Sequence, residues 1–75
     1  MIKSSQCRAA RGLLKWTQSD LADASEISSV TIRNFESDKT QPRKATLIVL
    51  QQIFEEAGVE FIPENGGGAG VRLKK

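Results

Sequence analysis

Residues 17–36, TQSDLADASEISSVTIRNFE, decide how this chain folds. They read as two short helices joined by a tight turn. Thr17 can cap the first helix, because its hydroxyl can accept from an otherwise unpaired amide one turn later. Asp20, three residues on, matches the acidic partner of a capping box. Leu21 and Ala22 are the first apolar positions, and Ala24 ends the helix. Ser25, Glu26 and Ile27 make the corner. Ser28 or Ser29 caps the second helix, whose inward residues are Ile32 and Phe35, three apart. Ser29, Val30, Arg33 and Asn34 then fall on the opposite side and face outward. A short helix with a small, polar outer face and an open N-terminus has the shape and hydrogen-bonding groups that a DNA major groove accepts.

Outward from this stretch, Ser4 or Ser5 can cap a preceding helix that runs to about Leu14, with Met1 to Lys3 frayed. Cys7, Ala10 and Leu14 share one face of it at helical spacing, Arg8 and Arg11 flank that face, and Lys15 suits the carboxyl end. Trp16 closes the core over the corner that follows. After Glu36 comes SDKTQPRK, which is loop chemistry. Pro42 bars helix at Gln41. Lys39, Thr40, Arg43 and Lys44 would lie beside the carboxyl end of the second helix of the pair, where a docked duplex passes its backbone, and are expected to contact phosphate. Thr46 caps a further helix from Leu47 to about Ala57, stopped by Gly58. Its stripe of Leu47, Leu50, Phe54 and Ala57 is core. Ile48, Val49 and Ile53 lie outside that stripe and call for burial against the tail or a second subunit. In the tail, Val59 and Phe61, then Val71 and Leu73, alternate with polar residues as strands do. Asn65-Gly66 and the glycines after it form a flexible connection, so residues 59–75 are expected to make a hairpin with a long glycine-rich loop. A lone hairpin is marginal in water, so it must pack on the last helix or pair with a second subunit, with Phe61 as its anchor. The glycine run does not lead from a strand into a helix and lacks a following Lys-Ser/Thr, which argues against a phosphate-binding loop.

The chain has 75 residues, enough for one small domain with a modest core, and such domains often rely on oligomerisation. It carries no long apolar run and no signal-peptide pattern, so a soluble, cytoplasmic protein is expected. The single cysteine, Cys7, cannot form an internal disulfide, and with no histidine in the chain it has no metal-binding company. It reads as a small buried apolar residue. The net charge of +2 is too small to argue for nucleic acid, but its distribution is informative. Up to Thr46 the chain has eight Lys/Arg against five Asp/Glu, and from Leu47 onward three against four. The basic excess lies in the half that carries the helix pair, as a phosphate-facing surface requires.

Thr17-Gln18, Leu21-Ala22, Ile27-Ser28, Thr31-Ile32, Phe35-Glu36 and Lys39-Thr40, in this order and spacing, resemble the helix-turn-helix of the phage Cro/repressor-like (XRE-type) transcription regulators. The resemblance extends to Arg8-Ala9-Ala10-Arg11 and to Leu47, and covers most of the first ~57 residues, the span of a small domain. It departs at Glu26 and Asp38, where the family usually or often carries glycine. A positive φ costs a non-glycine residue roughly 1 kcal/mol, so either these residues carry that cost or the two corners are shaped differently. The resemblance implies a mainly α fold, a phage-repressor-like bundle of four helices (helix 1 ending near Leu14, helices 2 and 3 within residues 17–36, helix 4 from Leu47 to about Ala57), to which the alternating tail adds a short C-terminal β-hairpin. Residues 1–58 would be the DNA-binding domain and 59–75 a tail that packs on helix 4 or in a dimer interface. It implies an ion pair between Arg11 and Glu36 that ties helix 1 to the end of helix 3. Such a pair sets orientation more than it adds stability, because desolvation offsets much of the attraction. It further implies that Gln18 contacts phosphate and steadies the reading side chains, and that Ser28 offers its hydroxyl and the helix 3 amino end to phosphate. Ser29, Val30 and Asn34 match the base-reading positions, with Arg33 beside them. Asn can pair with adenine and Val can cover a thymine methyl.

The expected function is therefore sequence-specific binding of double-stranded DNA by a transcriptional repressor. It would act as a homodimer, without cofactor, metal or membrane. An alternative of another class is a protein-interaction module, such as an antitoxin or anti-regulator, that holds a partner protein through its C-terminal segment and the Ile48, Val49 and Ile53 surface. Enzymatic function is disfavoured. The chain has no histidine, no second cysteine and no paired carboxylates in a pocket motif.

Overall fold

The computed structural model describes residues 1–64 and 66–74 and runs α1 (Ser4–Leu14), α2 (Gln18–Ser25), α3 (Ser29–Glu36), α4 (Lys44–Glu56), β1 (Val59–Ile62) and β2 (Gly70–Leu73). Local chemistry sets the middle of the chain. The Thr17 hydroxyl accepts from the Asp20 N–H at 3.0 Å, and the Asp20 carboxylate accepts from the Thr17 N–H at 2.9 Å, a reciprocal capping box. Ser28 caps α3 by accepting from the Thr31 N–H at 3.1 Å. Helix α2 runs one residue past the expected Ala24, because the Ser25 hydroxyl serves both helix and turn. It donates to the Leu21 carbonyl at 2.7 Å and accepts from the Ile27 N–H at 3.2 Å. Glu26 and Asp38 both adopt left-handed backbone at φ 61°, so the two corners keep the expected shape and these residues carry its cost.

Two helix starts differ from the sequence expectation. The cap of α1 is Lys3, with extended backbone, and neither Ser4 nor Ser5. The Lys3 N–H is satisfied by Gln6 Oε1 at 2.9 Å, while the Ser4 hydroxyl donates to Asp38 Oδ1 at 2.6 Å and so ties α1 to the loop after α3. The segment before α1 is also not frayed, because Ile2 is buried in the core. Helix α4 begins at Lys44, three residues before Leu47, with Arg43 as its cap and Thr46 inside the helix. Pro42 excludes helix only from the residue before it. The residues after it are free to turn, and Leu47 N–H to the Arg43 carbonyl at 3.1 Å is the first helical bond. The helix ends at Glu56, with Gly58 at φ 102° beyond it.

The core joins Ile2, Cys7 and Ala10 to Leu21 of α2, Ile32 and Phe35 of α3, Leu47, Leu50 and Phe54 of α4, and Val59 of β1. A fully buried Leu, Val or Phe side chain contributes about 1.5–3 kcal/mol, so Leu21, Leu50, Phe54 and Val59 each stabilise the fold substantially. Trp16 packs on this core and stacks with Phe54 at a centroid distance of 6.0 Å. Strands β1 and β2 are antiparallel, with Val59 opposite Leu73, Glu60 opposite Arg72 and Phe61 opposite Val71. Glu60 and Arg72 pair on the outer face, while Phe61 and Val71 pack against the core and Phe61 lies 6.2 Å from Phe54. The hairpin is also tied to the N-terminal segment. Gln6 Nε2 donates to the Gly70 carbonyl at 3.1 Å, and Lys3 pairs with Glu64. Of the expected Asn65-Gly66 connection, Asn65 lies outside the described residues. No helix among the described residues is long and apolar enough to cross a membrane.

Candidate nucleic-acid interface

Helix α3 turns Ile32 and Phe35 into the core, and that fixes what its other side shows. Ser29 and Arg33 are exposed, Val30 is 50% exposed, and Asn34 is half-buried. The methyl groups of Val30 therefore meet solvent. The cap leaves the first amides of α3 without helical partners, at the end of the helix that carries Ser29 and Val30. The Ser28 hydroxyl is already committed, since it also donates to Thr31 Oγ1 at 2.9 Å.

The loop after α3 folds back on the helix end. The Asn34 carbonyl accepts from the Lys39 N–H at 2.9 Å and from the Thr40 N–H at 3.3 Å. Lys39 and Thr40 are thereby held next to the carboxyl end of α3, and both are exposed. Arg43 and Lys44 open α4 and are exposed as well. Cations at the positive end of a helix, with no side-chain cap, make an unfavourable arrangement for an isolated domain. The same arrangement gathers two charges and a set of unpaired N–H groups that an anion would satisfy.

Behind α3, Glu36 is 4% exposed and its carboxylate is fully used. Arg11 Nη2 donates to Oε1 and Arg11 Nε to Oε2, both at 2.7 Å, a bidentate pair. Gln18 Nε2 donates to Oε1 at 3.0 Å and the Cys7 thiol to Oε2 at 3.1 Å. Arg8 donates to the Glu36 carbonyl, and Arg11 Nη1 to the Trp16 carbonyl at 3.0 Å. Burial works to raise the Glu36 pKa, but the hydrogen bonds from Arg11, Gln18 and Cys7 and the Arg11 charge together lower it. The Arg11–Glu36 hydrogen bond raises the Arg11 pKa in turn. Burial, then the Glu36 bond, pushes the Cys7 thiol well up, so it stays protonated. Among the described residues, no buried side-chain nitrogen or oxygen lacks a partner.

Two members of this cluster go beyond the sequence reading, in which Cys7 is an apolar filler and Gln18 serves phosphate and the reading side chains; here both donate to Glu36. Cys7 stands four residues before Arg11, hence on the same helix face, and that spacing is the signal that both could meet one group. The Ile48, Val49, Ile53 and Phe61 set divides. Ile53 and Phe61 pack on the core, while Ile48 and Val49 remain exposed on α4. Two surface clefts, of about 270 and 340 Å³, are lined by the N-terminus, α4 and the hairpin region, with no residue of α2 or α3. No group of three or more potential metal ligands occurs among the described residues.

The helix-turn-helix family HTH_3 matches residues 8–60. This chain belongs to that family. It is a DNA-binding regulator domain of the Cro/C1 (XRE) type, and the match runs from Arg8 within α1 to the start of β1. No curated protein matches the chain in sequence.

Proposed function

We propose that this Cro/C1-type domain reads a specific double-stranded DNA site with α3 in the major groove and represses transcription as a homodimer. The observation that carries the reading is the outer face of α3, where Ser29, Val30, Arg33 and Asn34 are accessible beside an open helix N-terminus. Asn34 is the adenine reader and Val30 the thymine-methyl contact, with Ser29 and Arg33 at the flanking base edges. Gln18, Lys39, Thr40, Arg43 and Lys44 are the phosphate contacts on either side, and Ser28, its hydroxyl taken by Thr31, contributes through the amino end of α3. The Arg11–Glu36 pair fixes the angle between α1 and α3. The exposed Ile48 and Val49 on α4 support a two-fold contact that would set two α3 helices about 34 Å apart, as successive major grooves require.

Two substitutions separate base reading from backbone contact. Asn34→Ala should lose roughly 1–3 kcal/mol on the preferred site and relax preference at one base pair. Lys39→Ala should weaken all sequences alike and reduce the salt dependence by about one unit. Equal loss on specific and random duplex for Asn34→Ala would remove it from the base readers.

A further inference from the structure

Glu36 receives four hydrogen bonds on two oxygens, and their arrangement is specific. Arg11 takes one position on each oxygen, side on. That leaves one further position per oxygen. Gln18 fills it on Oε1 and Cys7 on Oε2, so the amide and the thiol hold the carboxylate from opposite ends. Cys7 is fully buried, so solvent cannot substitute for its proton. An ionised carboxylate only accepts, which obliges Gln18 to turn its nitrogen inward. The amide nitrogen has two protons. One meets Glu36, and the second is fixed in direction by the first.

We propose that Cys7 is a positioning residue for DNA-backbone binding. Its thiol holds Glu36, and Glu36 holds the Gln18 amide so that its second N–H faces a phosphate. The inference rests on Gln18 being a phosphate contact. Without the thiol, Oε2 loses its outer partner, the carboxylate shifts about the Arg11 fork, and the Gln18 amide loses its fixed orientation. A backbone contact serves every sequence, so the loss appears on any duplex.

The test uses the full chain and a random-sequence duplex, at a temperature where Trp16 emission shows each variant folded. Cys7→Val keeps an apolar side chain of similar size and removes the donor, Cys7→Ala does so without crowding, and Cys7→Ser restores a donor. Cys7→Val and Cys7→Ala should bind about three- to tenfold more weakly, the equivalent of one hydrogen bond. Cys7→Ser should recover part of the loss. In a Gln18→Ala background the Cys7 substitutions should change nothing further. Wild-type affinity in the folded Val and Ala variants would overturn the proposal. So would an equal loss in the Gln18→Ala background, which would mean general loosening, or a Gln18→Ala variant that binds as the wild type does. Failure of the wild type itself to bind duplex would instead overturn the DNA-binding reading, and this proposal with it.

Discussion

Replacing Glu36 by alanine removes the acceptor on which α1, α2 and α3 converge. Cys7 and Gln18 each lose their partner there, and the Arg11 guanidinium keeps only its bond to the Trp16 carbonyl. Breaking a buried ion pair by removing one partner costs about 3–5 kcal/mol. Arg11 is 19% exposed, so water can restore part of its solvation, which places the cost near the lower end, about 3 kcal/mol. At about 0.05–0.15 kcal/mol per residue, a 75-residue domain has roughly 4–11 kcal/mol in all, so this single change removes a large share. Urea unfolding followed by Trp16 fluorescence reads it directly, because the only tryptophan stacks on Phe54 in the core. With a slope of about 1 kcal/mol/M for so small a domain, the midpoint should fall by about 3 M. Arg11→Met should cost a similar amount, since it leaves Glu36 buried and charged. The double variant should cost much less than the sum of the two. A cycle in which the two single costs simply add would refute this reasoning and reduce the pair to two independent surface charges.

Glu26→Gly should stabilise by about 0.5–1 kcal/mol and raise the thermal midpoint by a few degrees, because glycine removes the left-handed strain at the α2–α3 corner. Asp38→Gly should gain less, since it also deletes the acceptor of the Ser4 hydroxyl, and a lowered midpoint for Glu26→Gly would show that the corner is not strained. The pH profile follows from Glu36. Its pKa in the folded chain lies below the ordinary 4.5, so its contribution is fully present above that value and is lost as pH falls through the depressed one. Urea midpoints should therefore be level from pH 7 to about 5 and drop below it, and Glu36→Gln should abolish most of that drop.

How much of this can be read from the chain depends on the range of each interaction. The starts of α2 and α3 are legible because Thr17, Asp20 and Ser28 act within three residues of themselves. The hairpin is legible because Val59, Phe61, Val71 and Leu73 follow the pleat of a strand. Thr46 misleads about the start of α4, because a threonine before an apolar run looks like a cap. Lys44 and Ala45 are better helix formers than a loop requires, and burial of Leu47, Leu50 and Phe54 holds the helix they begin. The Lys3 cap rests on Gln6 three residues on, a local signal that the two serines beside it mask, whereas Ile2 is buried in a core assembled from distant segments, which no local pattern reveals. Arg11 and Glu36 lie 25 residues apart, and only the family resemblance brings them together. The roles of the Cys7 thiol and the inward Gln18 amide follow from that meeting and are invisible without it.

That α3 reads DNA sequence is tested most directly by selecting bound duplexes from a random pool with the full chain. The predicted result is enrichment of a two-fold related motif with half-site centres about one helical turn apart. The Asn34→Ala variant should select a motif relaxed at one symmetric pair of positions. A pool that stays random while the chain still retains DNA would contradict the reading, as would an unchanged motif in the Asn34→Ala variant.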